Sequence, residues 1–274
     1  MPVALWTQTG GSIIRPAAFC GIVGFKPTFG RLCLAGTKMC AWSLDTLGIL
    51  SRDVEDAGLI FGVLAWSAAD ATVPARELPV IGVFRDPAED QAESAARAAI
   101  NKSAARLNAG GLRVLFVEAP AEFAGLRSAQ RTIARFEMAR SLAFEWTSRR
   151  HMLNESTRRE IDEGLLIGPP DYIEAKAHVE RARPAIDRLF NDADVLMTFA
   201  APGEAPRGLA STGSVLFNGA WTALGVPCVT LPFSTGPAGL PIGVQIIGRF
   251  SADWHLLRCS AAIEKTFESS GRCR

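Results

Sequence analysis

The segment from Pro79 to Glu118 constrains the fold more than any other part of the sequence. Its two short apolar runs, PVIGVF and LRVLFVE, have the length and composition of buried strands. Between them lies an alanine-rich stretch that begins with acidic residues and ends in two glycines, which is typical of a complete helix. A strand, a helix and a strand with short joints form a βαβ unit. The two strands are therefore predicted to be parallel, with a right-handed crossover.

The remaining segments extend this α/β pattern. The first fifty residues are punctuated by glycine and proline, which predicts turns and short strands and no long helix. A helix is predicted from Ser51, capped by Ser51 or Asp53, and a last one from Ala252 to about Glu268. The runs ADVLMTFA, GVPCVTLPF and GVQIIG are predicted strands. We expect a mixed, largely parallel sheet with helices on both faces, in a single domain over residues 1–274.

Residues 123–190 are predicted to form two or three helices, with breaks at Gly164 and at residues 168–170. This region is a candidate helical cap over a site. The loop of residues 201–214 is long enough to be functional. Residues 127–146 and this loop are candidates for shaping a substrate pocket, with a core helix and a solvated loop as the alternatives.

Composition excludes several classes of protein. The 274 residues are 48% hydrophobic and 21% charged, with a net charge of +1, so nothing indicates a nucleic acid or an anionic membrane as a partner. Six cysteines form no C-x-x-C pair and no zinc-ligand spacing, which predicts free thiols, a reducing compartment and no metal. The start of the chain lacks the features of a signal peptide, and the apolar run AGLIFGVLAW is too short to span a bilayer. We expect a cytoplasmic protein without a cofactor.

The tripeptide Gly10-Gly11-Ser12 is the first candidate for chemistry. Two glycines before a serine allow a tight turn that can direct several backbone N–H groups at one point beside the hydroxyl. Such a turn can hold a developing oxyanion while the serine attacks, as acyl transfer requires. An ordinary turn or a phosphate-binding loop is the alternative, although no Gly-Lys-Ser/Thr follows as in a P-loop.

The longer stretch TQTGGSIIRPAAFCGIVGFKPTFGR, residues 7–31, resembles the signature segment of the amidase signature family of hydrolases. The similarity continues through SLDTLGILSRDVEDAGLIF and returns in NGAWTALGVPCVTLPFSTGPAGLPIGVQIIGR. These segments cover the first and last quarters of the chain in the family's order. The resemblance implies an α/β fold and hydrolysis of a carbon–nitrogen amide bond in a small-molecule substrate, without metal or organic cofactor.

The resemblance also implies a Ser–Ser–Lys arrangement. Ser12 corresponds to the nucleophile, and the backbone at Thr9, Gly10 and Gly11, with the amide of Ser12 itself, corresponds to the oxyanion hole. In the family, the lysine base and the bridging serine lie upstream of this segment. Here no lysine precedes Lys26 and no serine precedes Ser12.

The chain therefore resembles the C-terminal portion of an amidase, lacking the segment that carries the lysine and the bridging serine. We expect it to be inactive or very slow alone, because general-base help is typically worth roughly 10²- to 10⁴-fold in rate. Two further departures affect the local polar network: Gln8 stands where many members have aspartate, and Arg15 lies one place later than the usual arginine. Lys26, in GFKPT, is interpreted as structural.

Other candidate residues have weaker support for a role in chemistry. A Ser–His–Asp triad would need one of the three histidines beside Ser12, and surface or structural roles are favoured for each: His151, His178 and His255. Cys20 lies in an apolar run without a base nearby and is interpreted as a buried structural thiol. Asp45 is expected to bond its own turn, and Trp6 either lines a channel or belongs to a frayed terminus.

Two functions from different classes remain open. In the first, the sequence belongs to an active amidase of greater length. In the second, it is a non-catalytic amidase remnant that acts as a binding or partner module. The oligomeric state is open, with a homodimer common among similar proteins.

Overall fold

The computed structural model describes residues 3–66 and 78–269. The strands within these residues form one eight-stranded sheet with the order β1-β3-β2-β7-β8-β6-β4-β5. They are β1 (Val3–Gln8), β2 (Val23–Lys26), β3 (Thr46–Ser51), β4 (Ile81–Arg85), β5 (Val114–Glu118), β6 (Val195–Phe199), β7 (Cys228–Thr235) and β8 (Pro241–Ile247).

Helices cover both faces of this sheet, as predicted. They are α1 (Ile14–Cys20), α2 (Val54–Leu64), α3 (Ser94–Ala109), α4 (Leu126–Ser141), α5 (Ala143–Arg149), α6 (Glu155–Leu165), α7 (Pro169–Arg188), α8 (Gly219–Leu224) and α9 (Asp253–Ser269). One core lies between the sheet and α2, α3 and α9, and the other between the sheet and α1, α4, α7 and α8. Along β6, Val195 and Met197 belong to the first core and Leu196 to the second, because successive strand side chains point to opposite faces.

The predicted βαβ unit is confirmed. β4 and β5 are parallel, with Val83 opposite Phe116, and α3 connects them. β6 pairs in parallel with the other side of β4, with Gly82 opposite Leu196. The parallel part of the sheet thus consists of the three strands that helical crossovers join.

The α/β class and the mixed sheet are confirmed, but the expectation of a largely parallel sheet is wrong. In the part of the chain that the structure describes, the other five strand pairs are antiparallel. β7 and β8, for example, are joined by a short turn at residues 236–240, and a connection of that length permits only an antiparallel pair. The parallel orientation of β4, β5 and β6 does not extend to the rest of the sheet.

The predicted cap of α2 is confirmed as Asp53. Its carboxylate accepts a hydrogen bond from the Asp56 amide, with an Oδ1–N distance of 2.8 Å. Ser51, the other predicted candidate, instead donates its hydroxyl to the Asp53 carbonyl at 2.7 Å. The start of α2 is therefore fixed by a contact between neighbours in sequence, which is why the sequence predicts it well.

Residues 123–190 contain four helices, α4 to α7, where the sequence predicts two or three. The breaks predicted at Gly164 and at residues 168–170 correspond to one break at residues 166–168, since α6 ends at Leu165 and α7 begins at Pro169. Two additional breaks lie at Leu142, between α4 and α5, and at residues 150–154, between α5 and α6, and neither contains a glycine or a proline. α4 packs against α6, α7 and α8.

The two shortest helices of the second layer, α1 and α8, are not predicted from the sequence. Each spans only six or seven residues and ends at a glycine in the left-handed conformation, Gly21 and Gly225. Both pack on the sheet or its helical layer, so burial rather than helix propensity holds them. At the other end of the sheet, Trp6 is part of edge strand β1 and half-exposed, so the frayed-terminus interpretation is wrong.

Candidate active site

The loop of residues 9–12 joins the end of β1 to the start of α1. Ser12, Thr9 and Gly10 are half-buried in it, while Gly11 is buried. The residue Ser12 is thus neither fully buried nor fully exposed to solvent.

Three successive carbonyls of this loop are held by hydrogen bonds. The Thr9 carbonyl accepts from Gln130 Nε2 at 3.0 Å, and the Gly10 carbonyl accepts from Thr222 Oγ1 at 2.6 Å. The Gly11 carbonyl accepts from the Arg15 amide at 3.0 Å. Three different parts of the fold, namely α4, α8 and α1, therefore fix the orientation of these peptide groups.

The amides of the same peptide groups have no protein acceptor among the residues that the structure describes. In a trans peptide, each carbonyl points away from the N–H of the following residue, so the three held carbonyls orient the amides of Gly10, Gly11 and Ser12. Within residues 3–66 and 78–269, none of these three amides donates a hydrogen bond to a protein acceptor. Unpaired backbone donors on a buried or half-buried loop are uncommon in folded proteins.

The Gln8 side chain connects the loop of residues 9–12 to neighbouring helices. Its Oε1 accepts from the amides of Ile13 and Ile14 at 2.8 and 3.1 Å, and its Nε2 donates to Thr222 Oγ1 at 2.9 Å. A carboxamide can accept and donate at once, whereas an ionised aspartate only accepts. The departure at Gln8 therefore preserves a polar network and links the start of α1 to α8.

Asp45 also forms a hydrogen bond with the loop of residues 9–12, in the hydrogen-bonding role that the sequence predicts. Thr9 Oγ1 donates to its Oδ1 at 2.5 Å, and the amides of Cys40 and Ala41 donate to its Oδ2 at 2.6 and 3.1 Å. The carboxylate thus ties the Thr9 side chain to the turn before β3. This contact positions Thr9 and leaves Asp45 no direct bond to Ser12.

Asn218 explains why residue 11 is glycine. A Cβ at Gly11 would lie 2.5 Å from Asn218 Oδ1, closer than any packing allows. Asn218 is held in place because its Nδ2 donates to the Ala200 carbonyl and to Gln245 Oε1, at 3.0 and 2.9 Å. The two distant segments that resemble the amidase signature family, around Ser12 and around Asn218, therefore meet at this loop.

Comparison with known proteins identifies the family of the chain. A family model described as Amidase matches residues 1–257. The chain belongs to the amidase family. A glutamyl-tRNA(Gln) amidotransferase subunit from Syntrophomonas wolfei is 31% identical, with 97% of this chain and 63% of that protein covered. The 2-amino-5-chloromuconic acid deaminase of Comamonas testosteroni is 30% identical, with 96% and 60% covered.

A crystal structure of an amidase has the same fold. It superposes with a TM-score of 0.90 at 28% sequence identity, covering 97% of this chain and 63% of that one. The chain thus spans between 60% and 63% of the length of these three amidase-family proteins. Residues 1–257 carry the family's pattern, so the resemblance that the opening motif indicates is confirmed.

The surroundings of the Ser12 hydroxyl and of Lys26 bear on the base that the resemblance implies. Over residues 3–66 and 78–269, no side chain forms a hydrogen bond with the Ser12 hydroxyl. Lys26 is fully buried, and its Nζ donates to the Pro27 carbonyl at 2.9 Å, in agreement with a structural role. The pKa of Lys26 is lowered, because the effect of burial is larger than the opposing effect of the nearby Cys228 and Asp253.

The histidines do not form a triad with Ser12 in these ranges. His178 Nε2 lies 2.8 Å from the Ala124 carbonyl, and His151 is exposed in a short 3-10 helix. His255 Nε2 lies 3.5 Å from Asp194 Oδ1 and 3.6 Å from Cys259 Sγ. The structural roles favoured from sequence fit these contacts.

The interpretation of Cys20 as a buried thiol is wrong. Cys20 is the last residue of α1 and is exposed, because the apolar face of this short helix is provided by residues before it, such as Ile14 and Ala18. Cys228 and Cys259 are the buried thiols, and burial raises their pKa values to about 11 and about 12. The five cysteines within the described ranges are free, and Cys273 lies outside them.

Two further sequence expectations concern metals and membranes. Among the described residues, no group of three or more histidine, cysteine, aspartate or glutamate side chains is arranged to hold a metal ion. None of the helices in the same ranges is long and apolar enough to cross a bilayer.

Proposed function

We propose that Ser12 is the nucleophile of an amidase and that the loop of residues 9–12 is its oxyanion hole. The observation that carries this proposal is the set of three adjacent amides, at Gly10, Gly11 and Ser12, which have no protein acceptor among the described residues while their carbonyl neighbours are all held. Preorganised donors of this kind stabilise charge that develops in a transition state, where each is worth about 10²- to 10³-fold in rate.

The proposed reaction has two halves. Ser12 Oγ attacks the carbonyl carbon of a small carboxamide, its proton passes to a base, and the oxyanion is held by the loop amides. Collapse of the tetrahedral intermediate breaks the C–N bond, and the protonated amine leaves an ester on Ser12. Water then hydrolyses the ester and restores the hydroxyl.

The base in this proposed reaction is inferred from the family resemblance. The resemblance implies a lysine and a bridging serine upstream, and the described residues provide neither next to Ser12. We therefore expect amide turnover by this chain alone to be slower by roughly 10²- to 10⁴-fold than with a base in place. An activated ester needs less help, because its leaving group departs without being protonated.

A partner-dependent role is the second candidate. β1 is an edge strand of the sheet, and its Leu5 and Trp6 side chains are about half-exposed, at 48% and 55%. An edge strand with exposed apolar side chains is a surface that another strand or chain can cover. One similar protein is named as part of an amidotransferase, which agrees with an assembly. A homodimer remains a proposal. A single domain in which residues 123–190 form a helical cap is a separate proposal.

Acylation of Ser12 tests the nucleophile without requiring amide turnover. The chain is incubated with p-nitrophenyl acetate, and intact-mass spectrometry with peptide mapping follows the acetyl group. We expect one acetyl group on Ser12 and none on the Ser12→Ala variant. Ser148→Ala, which removes an exposed hydroxyl of α5, is the matched control and is expected to acylate like the unmodified chain.

The opposite result rejects the proposal. Acetylation that maps elsewhere, or that is unchanged in Ser12→Ala, would show that the loop does not activate this serine. Carboxamide turnover, measured as ammonia release, separates the two candidates: slow Ser12-dependent release supports an amidase, and acylation without release supports the partner-dependent role.

A further inference from the structure

Glu137 is a fully buried carboxylate on α4 that the proposed reaction does not use. The Ser43 amide donates to its Oε2 at 2.8 Å, and the Ser43 hydroxyl donates to its Oε1 at 2.6 Å. The Tyr172 hydroxyl donates to the same Oε1 at 2.7 Å. Hydrogen bonds of this kind compensate a buried carboxylate for the water that it loses. Glu137 therefore joins α4 to the turn that contains Ser43 and to α7.

The turn of residues 40–45 is closed on itself by hydrogen bonds. The Asp45 carboxylate accepts from the amides of Cys40 and Ala41, at 2.6 and 3.1 Å. The Ala41 carbonyl in turn accepts from the Asp45 amide at 2.8 Å. Because Ser43 lies inside this closed turn, a bond that fixes Ser43 also fixes the Asp45 carboxylate.

Thr9 is bonded to α4 both directly and through this turn. Its carbonyl accepts from Gln130 Nε2 at 3.0 Å, and its hydroxyl donates to Asp45 Oδ1 at 2.5 Å. Gln130 and Glu137 are two helical turns apart, so they lie on the same face of α4. The Thr9 carbonyl shares a planar peptide group with the Gly10 amide. The anchors of Thr9 on α4 therefore also set the direction of this backbone donor.

We propose that Glu137 is a positioning residue for the loop of residues 9–12. It acts on Thr9 through the turn of residues 40–45 and thereby directs the Gly10 amide. The inference rests on the proposed function only in taking this loop as an oxyanion hole. Glu137 takes no part in the bond-breaking step. A misplacement of about 1 Å can cost roughly 10²-fold in rate, so an anchor that is distant from the reacting atoms affects catalysis.

Ser43 and Tyr172 provide a matched pair of variants. Their hydroxyls donate to the same Glu137 oxygen at 2.6 and 2.7 Å, but Ser43 lies in the turn and Tyr172 lies on α7. Ser43→Ala removes a bond that fixes the turn. Tyr172→Phe removes a bond of the same kind and keeps the ring that stacks on Phe136. If Glu137 only stabilised the fold, the two variants would differ in nothing but their stability.

The backbone amide signals of the loop test the inference without any chemistry. Two-dimensional NMR spectra of the ¹⁵N-labelled chain follow the amides of residues 10–12. We expect these signals to shift in Ser43→Ala and to shift further in Glu137→Ala, which also removes the acceptor of the Ser43 amide. They should stay in place in Tyr172→Phe. Equal shifts in Ser43→Ala and Tyr172→Phe overturn the inference, and so does the absence of a shift in Glu137→Ala.

A ratio of two acylation rates tests the effect on the oxyanion hole. The chain is acylated with p-nitrophenyl acetate and with its thionoester, in which the carbonyl oxygen is replaced by sulfur, a weaker hydrogen-bond acceptor. Aligned donors favour the ester, so the ester-to-thionoester ratio measures their alignment. We expect the ratio to fall by roughly tenfold in Glu137→Ala, less than the 10²- to 10³-fold lost when a donor is removed, and to stay unchanged in Tyr172→Phe. A smaller folded fraction would lower both rates together and leave the ratio unchanged.

Glu137→Gln is the conservative variant. A carboxamide can accept from the Ser43 amide and donate to the Ser43 and Tyr172 hydroxyls, because a hydroxyl both donates and accepts. We therefore expect its amide signals and its rate ratio to lie closer to those of the unmodified chain than to those of Glu137→Ala. A glutamine variant that behaves like the alanine variant overturns the hydrogen-bonded route through Ser43. The midpoint of thermal unfolding of each variant confirms that it folds.

The outcomes for Ser12 and Glu137 can be distinguished. Shifted amide signals without acetylation of Ser12 support the positioning of the loop and reject the nucleophile. Acetylation of Ser12 with an unchanged rate ratio in Glu137→Ala rejects the positioning residue and keeps the nucleophile.

Discussion

The conformation of the Ser12 loop depends on the absence of a Cβ atom at Gly11. Its Cα faces Asn218, whose carboxamide is fixed by Ala200 and Gln245 and cannot move aside. Gly10, the preceding residue, has ordinary van der Waals distances of 3.6 to 3.8 Å for the same added atom. Two adjacent glycines of one motif therefore have different reasons to be glycine.

Alanine substitutions at these two positions are expected to differ in stability. Gly11→Ala forces a Cβ against Asn218 Oδ1 and should lower the free energy of unfolding by about 1–3 kcal/mol, the usual cost of overpacking. Gly10→Ala meets no such contact, and its free energy of unfolding should change by less than about 1 kcal/mol. Urea denaturation of both variants measures the difference. Equal losses would mean that the fixed position of Asn218 does not constrain Gly11.

The sequence predicts the identity of the Ser12 loop but not the side chains that hold it. Gly10, Gly11 and Ser12 form a local motif, so their proximity needs no tertiary information. Gln130 and Thr222 lie 121 and 212 residues away from the carbonyls they bind. The available signal is the position of Thr222 within NGAWTALG, a segment already matched to the family, whereas Gln130 carries no signal beyond its place in the segment 127–146.

Among the helices and strands, agreement with the sequence follows the range of the interactions. α2 begins at the predicted Asp53 because the cap is formed with Asp56, three residues away. The sequence does not separate α4 from α5, because the break at Leu142 contains no glycine or proline. β7 and β8 are predictable as strands, yet their orientation relative to the other strands depends on the order of the whole sheet.

Removing the cap of α2 should destabilise the protein by a predictable amount. Asp53→Ala deletes the acceptor for the Asp56 amide and is expected to cost about 1 kcal/mol in the free energy of unfolding. Asp53→Asn keeps a side-chain oxygen at the same position and serves as the matched control, with a loss of a few tenths of a kcal/mol. Chemical denaturation of the two variants gives the values. An asparagine variant as unstable as the alanine variant would contradict the capping role.

Across the molecule, the buried thiols couple folding to alkaline pH. Burial, with a smaller contribution from Asp194, raises the pKa of Cys259 from 9.0 to about 12. Cys228, on the sheet, is raised in the same direction to about 11. A folded-state pKa above the unfolded one means that the native protein keeps a proton that the unfolded chain loses, so stability is full below pH 9 and declines above it.

The thiol of Cys259 can be tested by its pH dependence. Between pH 9 and pH 11 the free energy of unfolding of the unmodified chain should fall more steeply than that of Cys259→Ala, by up to about 1.4 kcal/mol per pH unit. Urea denaturation at half-unit pH steps measures both slopes, and Cys228 remains in both proteins. Parallel curves for the two proteins would show that the Cys259 thiol keeps an ordinary pKa in the folded state.

The amino-acid sequence alone determines the features that depend on residues close together in the chain, namely the glycine-serine turn, the Asp53 cap and the βαβ unit. It also determines membership of the amidase family. The antiparallel majority of the sheet, the exposure of Cys20 and the burial of Arg15 were settled by the packed fold. Local hydrogen bonds and periodicity depend on residues a few positions apart. Strand order and the surroundings of a side chain depend on contacts across more than a hundred residues, for which a single sequence carries no direct signal.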